Sequence, residues 1–279
     1  MRAVSSLAPG CFLAPLLLAA CSGGVPSAPG NAANAAAPAN TAEPAENAGE
    51  PPAPAENASI SVKAGKVEFD YAWPREAAGI PDLDVWLRGN AERLRKQTEE
   101  GGKSEQASAQ QNGYEFHGYS YSEAWHVEAD LPALLVMQSD GYSYTGGAHG
   151  MPIVTVLFWD KAAKKRLGTS DLFDLPALIA ALKPRFCKAL NAERSERRGE
   201  PVNPKDDNQL PEFVQCVDPA NQTVLPVSKS GKTLDTIRFV IMPYEAGPYA
   251  EGIYEIDLPV TAAVLKAVKP AYKASFGAS

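Results

Sequence analysis

Polar and apolar residues alternate weakly from Ile60 to Trp73, with Val67, Phe69 and Tyr71 on one face, which predicts a strand. Pro81 then opens a helix. Leu83, Trp86, Leu87, Asn90, Ala91 and Leu94 follow helical spacing, while Arg88, Glu92 and Arg95 fall elsewhere on its surface. The polar stretch Glu99 to Asn112 ends or extends this helix. Tyr114 to Asp130 reads as one long strand or a hairpin. Leu134 to Tyr144 and Ile153 to Trp159 read as strands, the latter apolar on both faces and so central in a covered sheet.

Asp171 to Arg198 carries the stripe Leu175, Leu178, Ile179, Leu182, Phe186 and Leu190, a helix that Pro184 should kink or divide in two. Val224 to Val227, Leu234 to Met242 and Ile253 to Leu258 are strands, and Thr261 to Val268 is a short helix before Pro270. Without regular βαβ alternation the expected class is α+β: two lobes with mainly antiparallel sheets packed against helices. The boundaries are an N-terminal lobe over 59–131 and a C-terminal lobe over 132–279.

The first 58 residues have a different composition. Arg2 precedes an apolar run from Cys11 to Ala20, too short to span a bilayer. The run ends in Leu18-Ala19-Ala20-Cys21, which resembles a bacterial lipobox. That resemblance implies a signal peptide over 1–20, lipidation at Cys21 and a membrane anchor facing the periplasm. Ser22 after the cysteine implies the outer membrane. From Ser22 to Ala58, Ala, Pro, Asn, Glu and Gly dominate and aromatic residues are absent, so little apolar surface is available to offset ordering entropy. Such a tether reaches about 115 Å if polyproline-like and roughly 30–40 Å as a coil.

Charge and cysteine usage narrow the function. With 33 acidic and 26 basic side chains the formal net charge is −7, which argues against nucleic acid as a partner and is compatible with a basic protein. Beyond Cys11 and Cys21, Cys187 and Cys216 form an even pair in an oxidising compartment, so a disulfide is expected; the competing reading is two buried free thiols. The bridge closes a loop of roughly 28 residues, which in the chain-entropy picture stabilises by about 3–4 kcal/mol.

Chemistry-bearing motifs are sparse. The three histidines are His117, His126 and His149. His126-Val127-Glu128 resembles half of a zinc deaminase signature, but its Cys-x-x-Cys partner is missing. On one uninterrupted strand His117 and His126 would face opposite ways. Ser143, His149 and Asp140 would supply the residue types of a triad, yet no nucleophile elbow is present. No phosphate loop or dinucleotide fingerprint occurs, and no cofactor or metal is expected.

Two blocks carry a family resemblance. The first is Tyr144-Thr145-Gly146-Gly147-Ala148-His149-Gly150, followed by a strand and Asp171-Leu172-Phe173. The second runs from Pro243 and Tyr244 through Glu245, Tyr249 and Glu251 to Gly252. Together they resemble the ectodomain of RsiV-type anti-sigma factors and the N-terminal region of PdaC-type peptidoglycan deacetylases. The first lobe would be PdaC-like and the second RsiV-like. RsiV-type members bind lysozyme, and in PdaC-type proteins the domain accompanies a separate deacetylase domain. The chain ends soon after the second block, so neither that deacetylase nor a transmembrane sigma-binding segment is expected.

The resemblance implies a freestanding envelope domain that binds an envelope protein, a lysozyme-type hydrolase or peptidoglycan without catalysis. Tyr144, Gly146, Gly147, His149, Tyr244, Glu245, Tyr249 and Glu251 are the candidate binding residues. His149 would join the two blocks by a buried hydrogen bond, with Glu251 or a backbone carbonyl as acceptor. A blander reading remains, in which the glycines set turns and the tyrosines cover a sheet edge. Two alternatives stand beside binding: an envelope-polymer hydrolase using Glu245, Glu251 and Asp257, and a purely structural envelope protein.

Overall fold

A computed structural model describes residues 56–278. The expected signal peptide, the expected lipidation at Cys21 and nearly all of the segment read as a tether lie outside the described residues. β1 (Ala58–Ala64) takes in the last residue of the segment read as tether.

The class is α+β, as the periodicities indicated. The stretch from residue 60 to 73 is a hairpin rather than one strand. β1 and β2 (Val67–Trp73) pair antiparallel around a two-residue turn at Gly65 and Lys66. Gly65 takes φ 63°, a conformation with little cost for glycine. A short α1 (Arg75–Ala78) leads into α2 (Pro81–Asn112), so the polar stretch extends the helix. Its buried stripe is Leu83, Leu87, Ala91, Thr98, Gly102 and Ala109. Gly102 sits mid-helix because a Cβ there would lie 2.5 Å from Val67 Cγ2; the missing side chain lets α2 approach the sheet.

β3 (Tyr119–Asp130) returns parallel to β2, making one βαβ unit that the reading of mainly antiparallel sheets did not foresee. β4 (Leu134–Tyr144), β5 (Met151–Asp160) and β6 (Lys165–Leu167) complete a sheet of order β1-β2-β3-β4-β5-β6. After α3 (Thr169–Leu172) comes α4 (Leu175–Arg198), which runs through Pro184 without a break. The division in this region falls instead at Phe173 and Asp174, where the Asp174 carboxylate caps α4 by accepting from Ala177 N. α5 (Pro211–Val214) precedes a second antiparallel sheet of β7 (Thr223–Val227), β8 (Thr236–Ile241) and β9 (Tyr254–Pro259). α6 (Ala262–Ala267) follows.

Both faces of the large sheet are covered. Leu135, Met137, Leu157 and Trp159 share a core with Phe69, Tyr71, Trp73 and the α2 stripe. Leu134, Val136 and Phe158 join the other core, with α4 and the small sheet. A bulge between Val127 and Ala129 switches β3 between the two: Val127 packs toward α2 and Ala129 toward the opposite core. The boundary expected at 131/132 falls between β3 and β4, whose register runs from Ser120↔Tyr144 to Asp130↔Leu135. The two expected lobes therefore share one sheet, and the described residues belong to one compact unit.

The small sheet lies between the large sheet and α4. On one side Phe239 meets Phe186 of α4, with ring centroids 4.8 Å apart. On the other, Arg238 grips Asp257 at 2.8 and 3.1 Å and reaches Glu128 of β3 at 3.2 Å. Gln138 of β4 donates to Glu255 at 2.8 Å, and His126 sits 3.0 Å from Glu128. This polar strip joins the two sheets.

Candidate functional site

The β4–β5 connection brings the first block to the surface. Gly146 and Gly147 take φ 99° and 89°, and Tyr144 donates its hydroxyl hydrogen to the Gly147 carbonyl at 3.0 Å. Gly150 N–H donates to the Tyr142 hydroxyl at 2.7 Å. His149 Nδ1 lies 2.9 Å from the Gly150 carbonyl, which can only accept, so Nδ1 carries the proton. Nε2 is then free to accept from the Tyr244 hydroxyl at 3.3 Å. The Tyr249 hydroxyl also donates to the Gly150 carbonyl, at 3.0 Å.

The two blocks thus meet in one aromatic cluster. His149 stacks on Tyr249 with centroids 3.9 Å apart, and Tyr244 lies 5.8 Å from Tyr249. The Tyr142 hydroxyl beside it pushes the Tyr249 phenol above its ordinary range. His149 is exposed, contrary to the expectation of a buried hydrogen bond, because it rides on the rim of the loop. Tyr244 is 49% exposed and Tyr142 39%. Tyr244 also holds φ 73°, a left-handed conformation that costs a side-chain-bearing residue roughly 1–2 kcal/mol.

Glu251 is not the acceptor for His149. It points the other way, into a bidentate pair with Arg198 at 2.8 and 3.0 Å, and takes a hydrogen bond from the Tyr254 hydroxyl. Burial works against its charge, but Arg198 and Tyr254 outweigh it and leave the carboxyl below its usual range. Gly247 packs against that carboxylate; a Cβ there would lie 2.0 Å from Glu251 Oε2.

Three arginines at the end of α4 hold this segment. Arg194 is fully buried. It donates to the carbonyls of Ala246 at 2.9 Å, Gln215 at 2.8 Å and Glu212 at 2.6 Å, and to Asn191 Oδ1 at 3.0 Å. Burial, with Arg198 nearby, lowers its pKa to about 10. Arg197 bonds the Glu251 and Ile253 carbonyls and lies 4.0 Å over the Tyr254 ring. The expected disulfide is present: Cys187 of α4 joins Cys216, with Cα atoms 5.2 Å apart. It fixes the chain beside Gln215, whose carbonyl Arg194 needs.

Sequence reasoning missed these arginines. The signal was available, since Leu178, Leu182, Phe186, Leu190 and Arg194 recur every four residues on one face. An arginine on an apolar stripe requires a set of acceptors at its tip.

The remaining candidates do not assemble into a catalytic set. Glu245 is exposed and lines a cleft of about 490 Å³ beside Tyr244, with Glu212 and Asp218. Asp257 is held by Arg238 and Lys229, which keep its carboxyl below the usual range against its burial. Asp140 pairs with His126 at 3.6 Å, not with His149. His117 precedes β3, so strand parity does not govern its direction. Among the described residues, no group of three or more His, Cys, Asp or Glu side chains is placed to hold a metal ion.

Residues 54–152 match the family described as deacetylase PdaC. The chain carries a PdaC-like domain. The match runs past residue 131 and through β4, in agreement with the continuous sheet. The PdaC-like domain supplies Tyr142, His149 and Gly150 to the cluster, and the chain beyond it supplies Tyr244 and Tyr249. No curated protein matches. Two solved structures are similar. A DUF3298 family member from Bacteroides fragilis NCTC 9343 has 18% identity and TM-score 0.50, covering 79% of this chain and 96% of its own. A DUF3298 family protein from Pseudomonas aeruginosa PAO1 has 18% identity and TM-score 0.48, covering 78% of this chain and 95% of its own. At this identity the likeness to the Bacteroides protein concerns the fold.

Proposed function

We propose that this chain is a cell-envelope lipoprotein, anchored through Cys21, whose folded domain recognises a protein or cell-wall ligand with the tyrosine cluster and performs no chemistry there. The observation that carries the reading is the convergence of Tyr142, His149, Tyr244 and Tyr249 from two distant stretches of chain onto one exposed surface. Tyrosines of this kind suit interfaces, because they present large rigid area with a polar tip. The backbone strain at Tyr244 adds support, since strain of this kind clusters at functional sites.

The neighbouring cleft gives the partner a sign. Glu212, Asp218 and Glu245 line it; Lys183 already pairs with Asp218 at 3.5 Å, and a cationic surface would complement Glu212 and Glu245. A lysozyme-type hydrolase has the required positive charge, and peptidoglycan is the second ligand to be tried. The test uses the chain with Cys21→Ser, purified in soluble form, against a lysozyme-type hydrolase and against isolated peptidoglycan. Saturable binding to one of them is expected, weakened at least about tenfold in Tyr142→Ser/Tyr244→Ser. Absence of binding to both, or equal binding by the variant, contradicts the reading. For the anchor, intact mass and membrane fractionation should show acyl mass in the wild type and none in Cys21→Ser.

A further inference from the structure

Under α2, on the face of the large sheet opposite α4, the structure holds a second polar site. Glu123 of β3 is 3% exposed. Its carboxylate accepts two hydroxyl hydrogen bonds, from Tyr121 at 2.6 Å and Ser139 at 2.6 Å. Ser139 is held in turn, because its oxygen accepts the Thr155 N–H at 3.1 Å. Among the described residues, no cation forms an ion pair with Glu123. A carboxylate offers about four lone-pair positions, and two neutral donors leave part of that capacity open. Buried charges are ordinarily paired, so the arrangement lacks a positive group.

A cavity of about 310 Å³ opens onto this carboxylate. Its walls include Trp86, Asn90 and Arg93 of α2 and Arg166 of β6. The Arg166 guanidinium lies 4.0 Å over the Trp86 ring, so it is placed by that contact and not by an acidic partner. Arg93 is held by Asn90 and Gln97 side-chain oxygens at 2.7 and 2.9 Å, again neutral acceptors. The cavity therefore has a negative floor and two guanidinium groups on its rim, none of them neutralised by its own counter-ion. Deeper in, the Tyr71 hydroxyl accepts from Trp125 Nε1 at 2.7 Å and Asn90 Nδ2 at 3.1 Å, and burial pushes its pKa up to about 12. That network fixes Asn90 and the wall behind it.

We propose that this cavity binds a small zwitterion of the amino-acid type, with its ammonium on Glu123 and its carboxylate toward Arg93 and Arg166. The volume lies at the lower end of small-molecule sites, which run from about 300 to 1,000 Å³. An ammonium supplies the donors that the open Glu123 lone pairs lack, and a carboxylate matches the planar donor fork of arginine. A simple anion would meet Glu123 in repulsion, and a simple amine would leave both guanidinium groups unused.

Calorimetric titration of the intact chain with L-alanine and D-alanine is the test, with propionate and ethylamine as half-ligands. Saturable binding of at least one alanine enantiomer is expected, with each half-ligand roughly tenfold weaker or worse. Glu123→Gln should abolish binding. Arg93→Met, an exposed change, should weaken it several-fold with the melting temperature unchanged, so the proposal stays testable if Glu123→Gln does not fold. Binding that survives in both variants, or no saturable binding of either enantiomer at millimolar concentration, overturns the proposal.

Discussion

The segment from Tyr244 to Tyr254 interleaves two sets of residues that obey opposite rules. In the first set, Tyr244 and Glu245 face solvent and Tyr249 stacks on a loop histidine, and Tyr244 is strained. In the second, Glu251 and Tyr254 are tied to Arg197 and Arg198, while Ala246 is buried with its carbonyl held by Arg194. The second set resembles a protein interior and the first resembles an interface. Changes in the held set should appear as lost stability, and changes in the presented set as lost binding.

The largest effect should come from the disulfide. Replacing both Cys187 and Cys216 with serine removes a cross-link between α4 and the strand of chain that feeds Arg194 its carbonyl acceptors, and should cost about 3–4 kcal/mol. Arg194→Met comes next. It leaves the carbonyls of Glu212, Gln215 and Ala246 without this donor and should cost about 2–4 kcal/mol, a fall in melting temperature of roughly 5–15 °C. Gly247→Ala drives a methyl into the Glu251 carboxylate and should cost about 1–3 kcal/mol. Thermal melting checks all three. An Arg194→Met variant that melts like wild type would remove the distinction between held and presented residues.

The smallest effect concerns the strip between the sheets. Glu128, with Asp140 and Glu255 nearby, raises the His126 pKa above its ordinary 6.5 despite some desolvation. A raised pKa means the protonated form is stabilised by folding. That contribution is complete below about pH 6.5 and is lost as pH rises through the folded value. Since His126 is 41% exposed, solvent screening limits it to well under about 1 kcal/mol. The melting temperature of wild type should therefore fall slightly more than that of His126→Gln as pH rises from 6 to 8, and identical slopes would contradict the assignment.

Much of the layering was legible in the sequence. β5 showed apolar residues at both parities, and it feeds both cores. The α4 stripe and the cysteine pair were equally plain. Other features were not, for identifiable reasons. The turn at Gly65 and Lys66 is only two residues long and interrupts no periodicity, so a hairpin read as one strand. Pro184 sits in α4 without dividing it, because tertiary packing of the stripe overrides the local backbone preference. Parallel pairing of β2 with β3 depends on where a 32-residue helix returns the chain, which no local pattern states.

The two family-like blocks are neighbours in the fold, and the contacts each residue makes there follow from its direction. Glu251 and His149 share a region and face apart, and neither spacing nor residue type tells which side chain turns inward. Glu123 was hidden for a related reason: on an alternating strand it occupies an inward position that would suit an apolar residue, and only the Tyr121 and Ser139 hydroxyls make it tolerable.

Tyr244→Gly tests the central claim most directly. Glycine accepts φ 73° without the cost borne by tyrosine, so the melting temperature should hold or rise by about 1–3 °C. With the exposed ring gone, binding to whichever of the lysozyme-type hydrolase or peptidoglycan the wild type recognises should fall at least about tenfold. Stability kept while binding is lost is the result this account predicts. A variant that melts several degrees lower yet binds as wild type does would place Tyr244 among the residues that hold the fold, and would contradict the account.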